Sequence, residues 1–191
     1  MKRLVFVALA ACGGRGGGGD VPVPDASAID APDGGGFGMC AGTCRTTALT
    51  AVFSATRTLD RAVYGFTQSP PTLHVEAYRG GSPGCPTETS PATDYTLILG
   101  RVPVPTSTTA STSPGNILDF KGDLLGGPLG AQATTVTINP VAADVCPTCF
   151  GMPAPSDPDG FVALDVMLTF PNGTVTGHIF ATHCDSLDAA N

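Results

Sequence analysis

FVALDVMLTF, residues 161–170, is followed by PNG, residues 171–173, and by TVTGHIFATH, residues 174–183. The first segment places an apolar side chain at every second position, which is the period of a β-strand with one buried face. The apolar side chains are those of Val162, Leu164, Val166, Leu168 and Phe170, and the other face carries Ala163, Asp165 and Thr169. Because an Asn-Gly pair tolerates the positive φ angles of a tight turn, the two long segments are predicted to form a β-hairpin.

The same alternation recurs upstream of this hairpin, between clusters of Gly and Pro. It is clear at 73–78, 95–99 and 134–138, and weaker at 49–55, 61–66 and 117–121. About eight strands with short turns predict an all-β fold, either an antiparallel β-sandwich or a Greek-key barrel. Residues 101–116, RVPVPTSTTASTSPGN, are too rich in Pro, Ser and Thr for a central strand, so we expect a long loop or an extended edge segment there.

The N-terminus has the layout of an export signal. Met1-Lys2-Arg3 precedes an apolar run, LVFVALAA at residues 4–11, that ends at Cys12. This run is too short to span a bilayer, which takes about 20 residues, but it suits the core of a signal peptide. Leu9-Ala10-Ala11-Cys12 resembles the lipobox of bacterial lipoproteins. The resemblance implies a signal peptide at residues 1–11 and a lipidated Cys12, palmitate included, that anchors the protein to a membrane.

A segment rich in Gly, Asp and Pro follows at residues 13–38. It has almost nothing to bury, so residues 12–38 are predicted to form a lipidated, disordered tether ahead of a β-domain at residues 39–191. Such a tether after a lipobox resembles the surface lipoproteins of myxobacteria, which are uncharacterised. The resemblance implies a place in the cell envelope. Gly13 favours the outer membrane by analogy with the enteric sorting rule, and secretion without an anchor is the alternative.

Six cysteines remain once Cys12 is assigned to lipid. An even number in an exported domain predicts three disulfides. The pairing stays open, with a bridge from Cys184 to Cys40 or Cys44 favoured because it clamps the two ends of the domain. A four-thiolate zinc site and a redox Cys-Pro-Thr-Cys motif are the alternatives, and an oxidising compartment and nearby prolines disfavour them. The six residues are Cys40, Cys44, Cys85, Cys146, Cys149 and Cys184.

The charge balance limits the classes of partner. The formal net charge is −7. An acidic, lysine-poor chain repels phosphate backbones, so nucleic acid is not expected as a partner. The membrane is expected to be contacted through the lipid anchor, because the chain lacks a polybasic segment. Another envelope protein or a surface polymer is the expected macromolecular partner.

Catalytic motifs do not stand out. His178 and His183 are predicted on opposite faces of one strand, where they cannot share a metal. In Asp157-Pro158-Asp159-Gly160 the spacing resembles part of a calcium loop, but an EF-hand register would put Val166 where a Glu belongs. Asp157 and Asp159 are therefore weak calcium candidates beside the simpler interpretation of a tight turn. No other metal and no cofactor is expected.

These observations favour a membrane-anchored envelope lipoprotein with a non-enzymatic binding or structural role. Its ligand is expected at the loops 79–94, 101–116 and 150–160. Two alternatives stay open: a secreted hydrolase with an unrecognised acid pair, and a calcium-dependent surface module. The scarcity of Glu and the absence of Trp count against a glycosidase, since sugar sites favour aromatic platforms.

Overall fold

A computed structural model describes residues 36–68, 71–87, 89–145 and 160–188. The strands belong to one compact unit, Pro32–Asn191. Within the described ranges there is no α-helix, and two short 3₁₀ helices occur at Gly42–Arg45 and Asp185–Leu187. The fold is all-β, as the sequence predicts. No helix in these ranges is long and apolar enough to cross a bilayer.

Ten strands are present in the described part of the chain. The bounds are β1 Ala48–Val52, β2 Thr56–Leu59, β3 Arg61–Gln68, β4 Pro71–Gly80, β5 Thr93–Pro103, β6 Gly115–Asp119, β7 Gly130–Gln132, β8 Thr135–Asp144, β9 Phe161–Phe170 and β10 Gly173–His183. The segments with clear alternation lie in β4, β5, β8 and β9, and the weaker ones lie in β1, β3 and β6. Strands β2 and β7 are short and largely exposed, so they carry no such signal.

Strand β10 is the branch point of the sheet. It pairs antiparallel with β9 along nearly its whole length, from Gly173 opposite Phe170 to Thr182 opposite Phe161. Its other edge pairs antiparallel with β1 and, at Thr182 and His183, in parallel with β3. The order continues from β3 through β4, β5 and β6 to β7, while β2 flanks β1 and β8 flanks β9. The short parallel contact makes the sheet mixed rather than purely antiparallel.

The sheet curls so that distant strands share one core. A Cβ on Gly115 of β6 would lie 2.7 Å from Leu168 and 3.0 Å from Val136, which places β6 directly against β9 and β8. Ser111, in the loop before β6, exchanges backbone hydrogen bonds with Ile138 of β8. The apolar face predicted for β9 is buried throughout. Each large side chain buried in this way contributes about 1.5–3 kcal/mol.

The predicted β9–β10 hairpin is confirmed, but its turn differs from the expected one. Gly173 already pairs with Phe170, so the turn residues are Pro171 and Asn172. Neither has a positive φ; Arg101 is the non-glycine residue with a positive φ in the described ranges. The fixed φ of Pro171 starts the turn instead.

Gly173 is required for space rather than for turn geometry. A Cβ at this position would lie 2.3 Å from the Phe53 ring and 2.4 Å from the Val52 carbonyl oxygen. The glycine therefore lets the β1–β2 connection close onto the hairpin. This approach brings Phe53 against Phe170, with ring centroids 5.2 Å apart in an edge-to-face arrangement.

The loop expected at 101–116 is shorter than predicted. Strand β5 continues to Pro103 and β6 begins at Gly115, which leaves 104–114 as the connection. A register shift in the β4–β5 pairing places Gly100 and Arg101 opposite a single residue of β4, and Arg101 has a φ of 56°. This is a β-bulge, which bends the strand and lets it run past the predicted boundary.

The second face of the hairpin is also covered at one end. Ala163, predicted on the polar face of β9, is fully buried beneath the turn that holds Cys40 and Cys44. Phe37, placed by the sequence in the tether, exchanges backbone hydrogen bonds with Ala143 of β8 at 2.8 and 2.9 Å. Phe37 thus packs with the sheet although it lies before residue 39, the predicted start of the domain.

Candidate functional site

Four cysteines lie in the described residues, and they form the disulfides Cys40–Cys44 and Cys85–Cys184. The expected bridge from Cys184 to Cys40 or Cys44 is wrong. The backbone N–H of Cys184 donates to the carbonyl oxygen of Tyr64 in β3 at 2.7 Å, so the chain end leaves β10 towards the β4–β5 loop. That loop carries Cys85, and the disulfide ties it to the C-terminal segment.

The bonded cysteines exclude one of the chemistries considered from sequence. Oxidised Cys40 and Cys44 are not thiolate ligands, which removes the proposed zinc set. Cys184 is not a free nucleophile, because it is bonded to Cys85. Asp185 lies close to both sulfur atoms, but bonded sulfurs are not thiolate ligands for a metal. Disulfides persist in oxidising compartments, so the domain is extracytoplasmic.

The remaining predicted site residues lie outside the described ranges. These are Cys12, the proposed site of lipidation, the pair Cys146 and Cys149, and the calcium candidates Asp157 and Asp159. Each stays a prediction.

His178 has a structural role on the outer face of the hairpin. Its Nδ1 lies 2.7 Å from the carboxylate of Asp165 on β9, and its Nε2 lies 2.8 Å from the carbonyl oxygen of Cys44. Both ring nitrogens are therefore engaged. The ring joins the N-terminal turn to the hairpin, which is not an arrangement for general-base catalysis.

His183 lies on the opposite face, as predicted, and fastens the C-terminal residues. Its ring lies 5.4 Å from those of Tyr64 and Phe66, and its Nε2 lies 3.1 Å from Asp188. Asp188 also accepts the backbone N–H of Phe66 at 2.7 Å. The side chains of His183 and Asp188 are only 7% and 3% exposed. This buried pair holds the chain after β10 over strand β3.

The candidate site is a cavity of about 490 Å³ at the other end of the sheet, beside the β9–β10 turn. The edge-to-face pair Phe53 and Phe170 lies on one side, Leu125 and Pro128 on another, and residues 130–134 along a third. None of the described residues that line it is charged. Its size is typical of sites that take a small ligand or a group of a larger one.

A buried carboxylate shapes the loop that forms one wall of this cavity. Asp119, at the end of β6, is 2% exposed. It accepts backbone N–H groups from Gly122 at 2.6 Å and from Leu124 and Leu125 at 2.8 Å. Burial raises the pKa of Asp119, but these hydrogen bonds together outweigh burial and hold it below the ordinary value. The ionised carboxylate thereby fixes the backbone that carries Leu125.

A second acidic residue ties the same loop to β2. Asp123 accepts hydrogen bonds from Arg57 and from the hydroxyl of Tyr95, and the Arg57 Nη2 lies 3.0 Å from its second oxygen. The hydrogen bonds from Arg57 and Tyr95 lower the pKa of Asp123. Ser54 completes the attachment, since its hydroxyl donates to the carbonyl oxygen of Leu124 at 2.6 Å. The loop is thus held from three directions, and the cavity is preformed.

A smaller cavity of about 300 Å³ lies on the other side of this network and is lined by Arg57, Arg79 and Lys121. These are three cations in an acidic chain. However, Arg57 pairs with Asp123, and Arg79 lies 3.3 Å from Asp60. Because carboxylates already compensate the two guanidinium groups, the cavity makes a weaker anion site than its lining suggests.

The described lining of the cavity of about 490 Å³ includes none of the loops at which a ligand is expected from the sequence. The loop 79–94 borders a cavity of about 370 Å³, and residues 103–111 border one of about 190 Å³, while 150–159 lie outside the described residues. The cavity of about 490 Å³ is lined in part by the segment DLLGGPLG, residues 123–130. This segment lacks the alternation of apolar and polar residues that predicts a strand. Leucines inside a Gly/Pro loop are the signal that could have pointed to it, since such loops seldom carry large apolar groups unless these pack.

Comparisons with protein-family models, with curated proteins and with solved structures found no match for this chain.

Proposed function

We propose that the chain is a lipid-anchored lipoprotein of the bacterial cell envelope whose β-domain is a non-enzymatic binding module. Cys12 supplies the anchor, in the outer membrane. The disulfides support an extracytoplasmic domain, because such bonds persist outside the cytoplasm. The N-terminal sequence that resembles a lipobox supports the anchor.

The observation that carries the binding role is the preformed, uncharged cavity beside the β9–β10 turn. Preorganisation favours binding, because the wall held by Asp119 loses little freedom when a ligand enters. A transfer reaction would instead need a nucleophile or an acid–base pair at the cavity. The described lining offers aromatic, aliphatic, proline and amide groups, which suit an apolar ligand.

The position of the cavity supports the same role. Phe37, near the N-terminal end of the described residues, pairs with Ala143 near the Phe161 end of β9. The cavity lies at the Phe170 end, about 30 Å away along the strand. A domain tethered through residues 12–38, as the sequence predicts, would present the cavity away from the described N-terminal residues.

Anchoring is tested in cells of a Gram-negative host that exports the full chain. Metabolic labelling with an alkynyl fatty acid should label the wild-type chain, and Cys12→Ser should abolish the label and release the protein from the membrane fraction. Equal labelling of the two chains would overturn the proposed anchor.

Binding is tested with Nile red, an uncharged apolar dye, on the full chain carrying Cys12→Ser so that no detergent competes. Pro128→Phe narrows the cavity from its exposed rim. Thr106→Phe, on the exposed rim of the smaller cavity in the 104–114 loop, is the matched control. We expect Nile red to fluoresce when it binds the chain that carries Cys12→Ser alone. Pro128→Phe should reduce this fluorescence, and Thr106→Phe should leave it unchanged. No binding, or equal binding by both variants, would contradict the proposed site.

A further inference from the structure

One edge of the sheet remains open beside this cavity. Strand β7, Gly130–Gln132, is the last in its order and pairs with β6 alone in the described residues. Gly130 and Gln132 are both exposed. The cavity lining includes the whole of β7, so the open edge and the apolar cavity meet at the same residues.

The hydrogen-bond register shows which backbone groups of β7 face outwards. Asp119 donates its N–H to the carbonyl oxygen of Leu129 at 2.7 Å, and Ala133 donates to Gly115 at 2.8 Å. Hydrogen-bonded pairs alternate with non-hydrogen-bonded pairs along an antiparallel ladder. The intervening Gly130 and Gln132 therefore direct their N–H and C=O groups away from β6.

We propose that this site binds an extended, uncharged peptide segment of a partner protein, which adds to β7 as a further strand. The inference rests on the proposed binding function of the cavity and names its ligand. Two outward residues offer two N–H donors and two C=O acceptors, so the added segment gains main-chain hydrogen bonds. Alternate side chains of an added strand point to one face, and those facing the domain would enter the cavity.

The character of the lining selects the peptide. The lining is uncharged, so burial of a Lys, Arg, Asp or Glu side chain there would leave a charge without a partner. The chain as a whole carries a net charge of −7, which further disfavours acidic segments. Phe53, Leu125 and Phe170 favour aliphatic or aromatic side chains at the alternate positions. A second copy of this chain, paired β7 to β7, is a competing occupant that the experiment separates.

The experiment selects peptides and then tests their backbone. Random heptapeptides on phage are selected against the full chain carrying Cys12→Ser. The enriched sequence is then synthesised with one added Trp, whose fluorescence reports binding because the protein contains no Trp. A second synthesis carries N-methyl groups at alternate residues, which remove main-chain donors and keep the side chains. We expect enrichment of uncharged, β-branched or aromatic heptapeptides, and loss of binding on N-methylation in one of the two alternate registers.

Two variants of the protein test the same edge. Gln132→Pro removes an outward N–H without removing a donor of the β6–β7 ladder, a position at which edge strands tolerate proline. Gln132→Ala is the matched control, because it removes the side chain and keeps the N–H. We expect Gln132→Pro to bind the peptide about tenfold more weakly than Gln132→Ala, as for the loss of one hydrogen bond. Nile red binding by Gln132→Pro verifies that its cavity is intact.

The outcomes separate this inference from the proposed function. Equal binding of the methylated and unmethylated peptides in both registers, or equal binding by the two Gln132 variants, would overturn strand addition while leaving the cavity as a binding site. Failure of Nile red to bind as well would overturn both. A concentration-dependent dimer in sedimentation, abolished by Gln132→Pro, would show that a second copy occupies the edge and would overturn the peptide ligand.

Discussion

The carboxylate of Asp119 accepts the backbone N–H of Leu125 at 2.8 Å, across a turn of six residues. The two residues have different roles, because Asp119 ends a buried strand and Leu125 lines the cavity. This hydrogen bond therefore affects both the stability of the core and the shape of the cavity. One buried acid thus helps to order the wall of the cavity, together with Asp123 and Ser54.

Replacing Asp119 by Ala should destabilise the fold and open the cavity. The change leaves the N–H groups of Gly122, Leu124 and Leu125 without their acceptor, which costs about 3 kcal/mol after partial rehydration. Urea unfolding measures the loss, and Nile red affinity under native conditions measures the cavity. Asp94→Ala, at an acid that lines the smaller cavity, is the control. Equal losses in the two variants would contradict a special role for Asp119.

A fall in pH should weaken the loop after β6, which Asp119 and Asp123 hold in place. The folded-state pKa values of Asp119 and Asp123 lie below their ordinary values. The stability that each contributes is complete above the unfolded-state pKa, about 4, and is lost as the pH falls through the lower folded-state pKa. Asp119→Asn should therefore show a shallower fall in unfolding free energy across this acidic range than the parent. Parallel curves for the two proteins would contradict the assignment.

The two disulfides should differ in their contribution to stability. Cys85–Cys184 closes a separation of 99 residues and Cys40–Cys44 a separation of 4. Chain entropy predicts losses of about 4–5 kcal/mol and about 2 kcal/mol when the respective pairs are replaced by Ala. Chemical denaturation of the two double variants checks the order. A larger loss for the pair at 40 and 44 would contradict the predicted order.

Gly173→Ala should destabilise the hairpin strongly. The added methyl group meets the Phe53 ring and the Val52 carbonyl oxygen, and overpacking of this kind costs about 1–3 kcal/mol. Gly100→Ala is a matched control in another strand, where a Cβ meets nothing within 4 Å. Thermal unfolding should separate the two variants. Similar melting temperatures would show that Phe53 moves aside without loss.

The sequence predicts the strands better than their partners. Alternation along β9 identifies its buried face because each Cβ direction is a local property of the strand. The branching of β10 between β1 and β3 depends on residues more than a hundred positions away, and nothing local encodes it. The same parallel contact decides that Cys184 reaches Cys85, which is why a guess based on chain ends placed this bridge wrongly.

The candidate site escapes sequence analysis for a related reason. Its lining combines the β1–β2 turn, the loop after β6, strand β7 and the β9–β10 turn. Each contributes from one to three residues, such as Phe53 from the first and Leu125 from the second. The cavity exists only because Gly173 lets two of these segments meet, which is a steric condition that composition does not display.

Nuclear magnetic resonance can show whether a ligand binds in the cavity beside the β9–β10 turn. Nile red is titrated into the uniformly labelled full chain carrying Cys12→Ser, and backbone amide shifts are followed. We expect shifts concentrated at Phe53, Leu125 and residues 130–134. Shifts confined to the loops 79–94 and 104–114, or no shifts at all, would contradict this expectation.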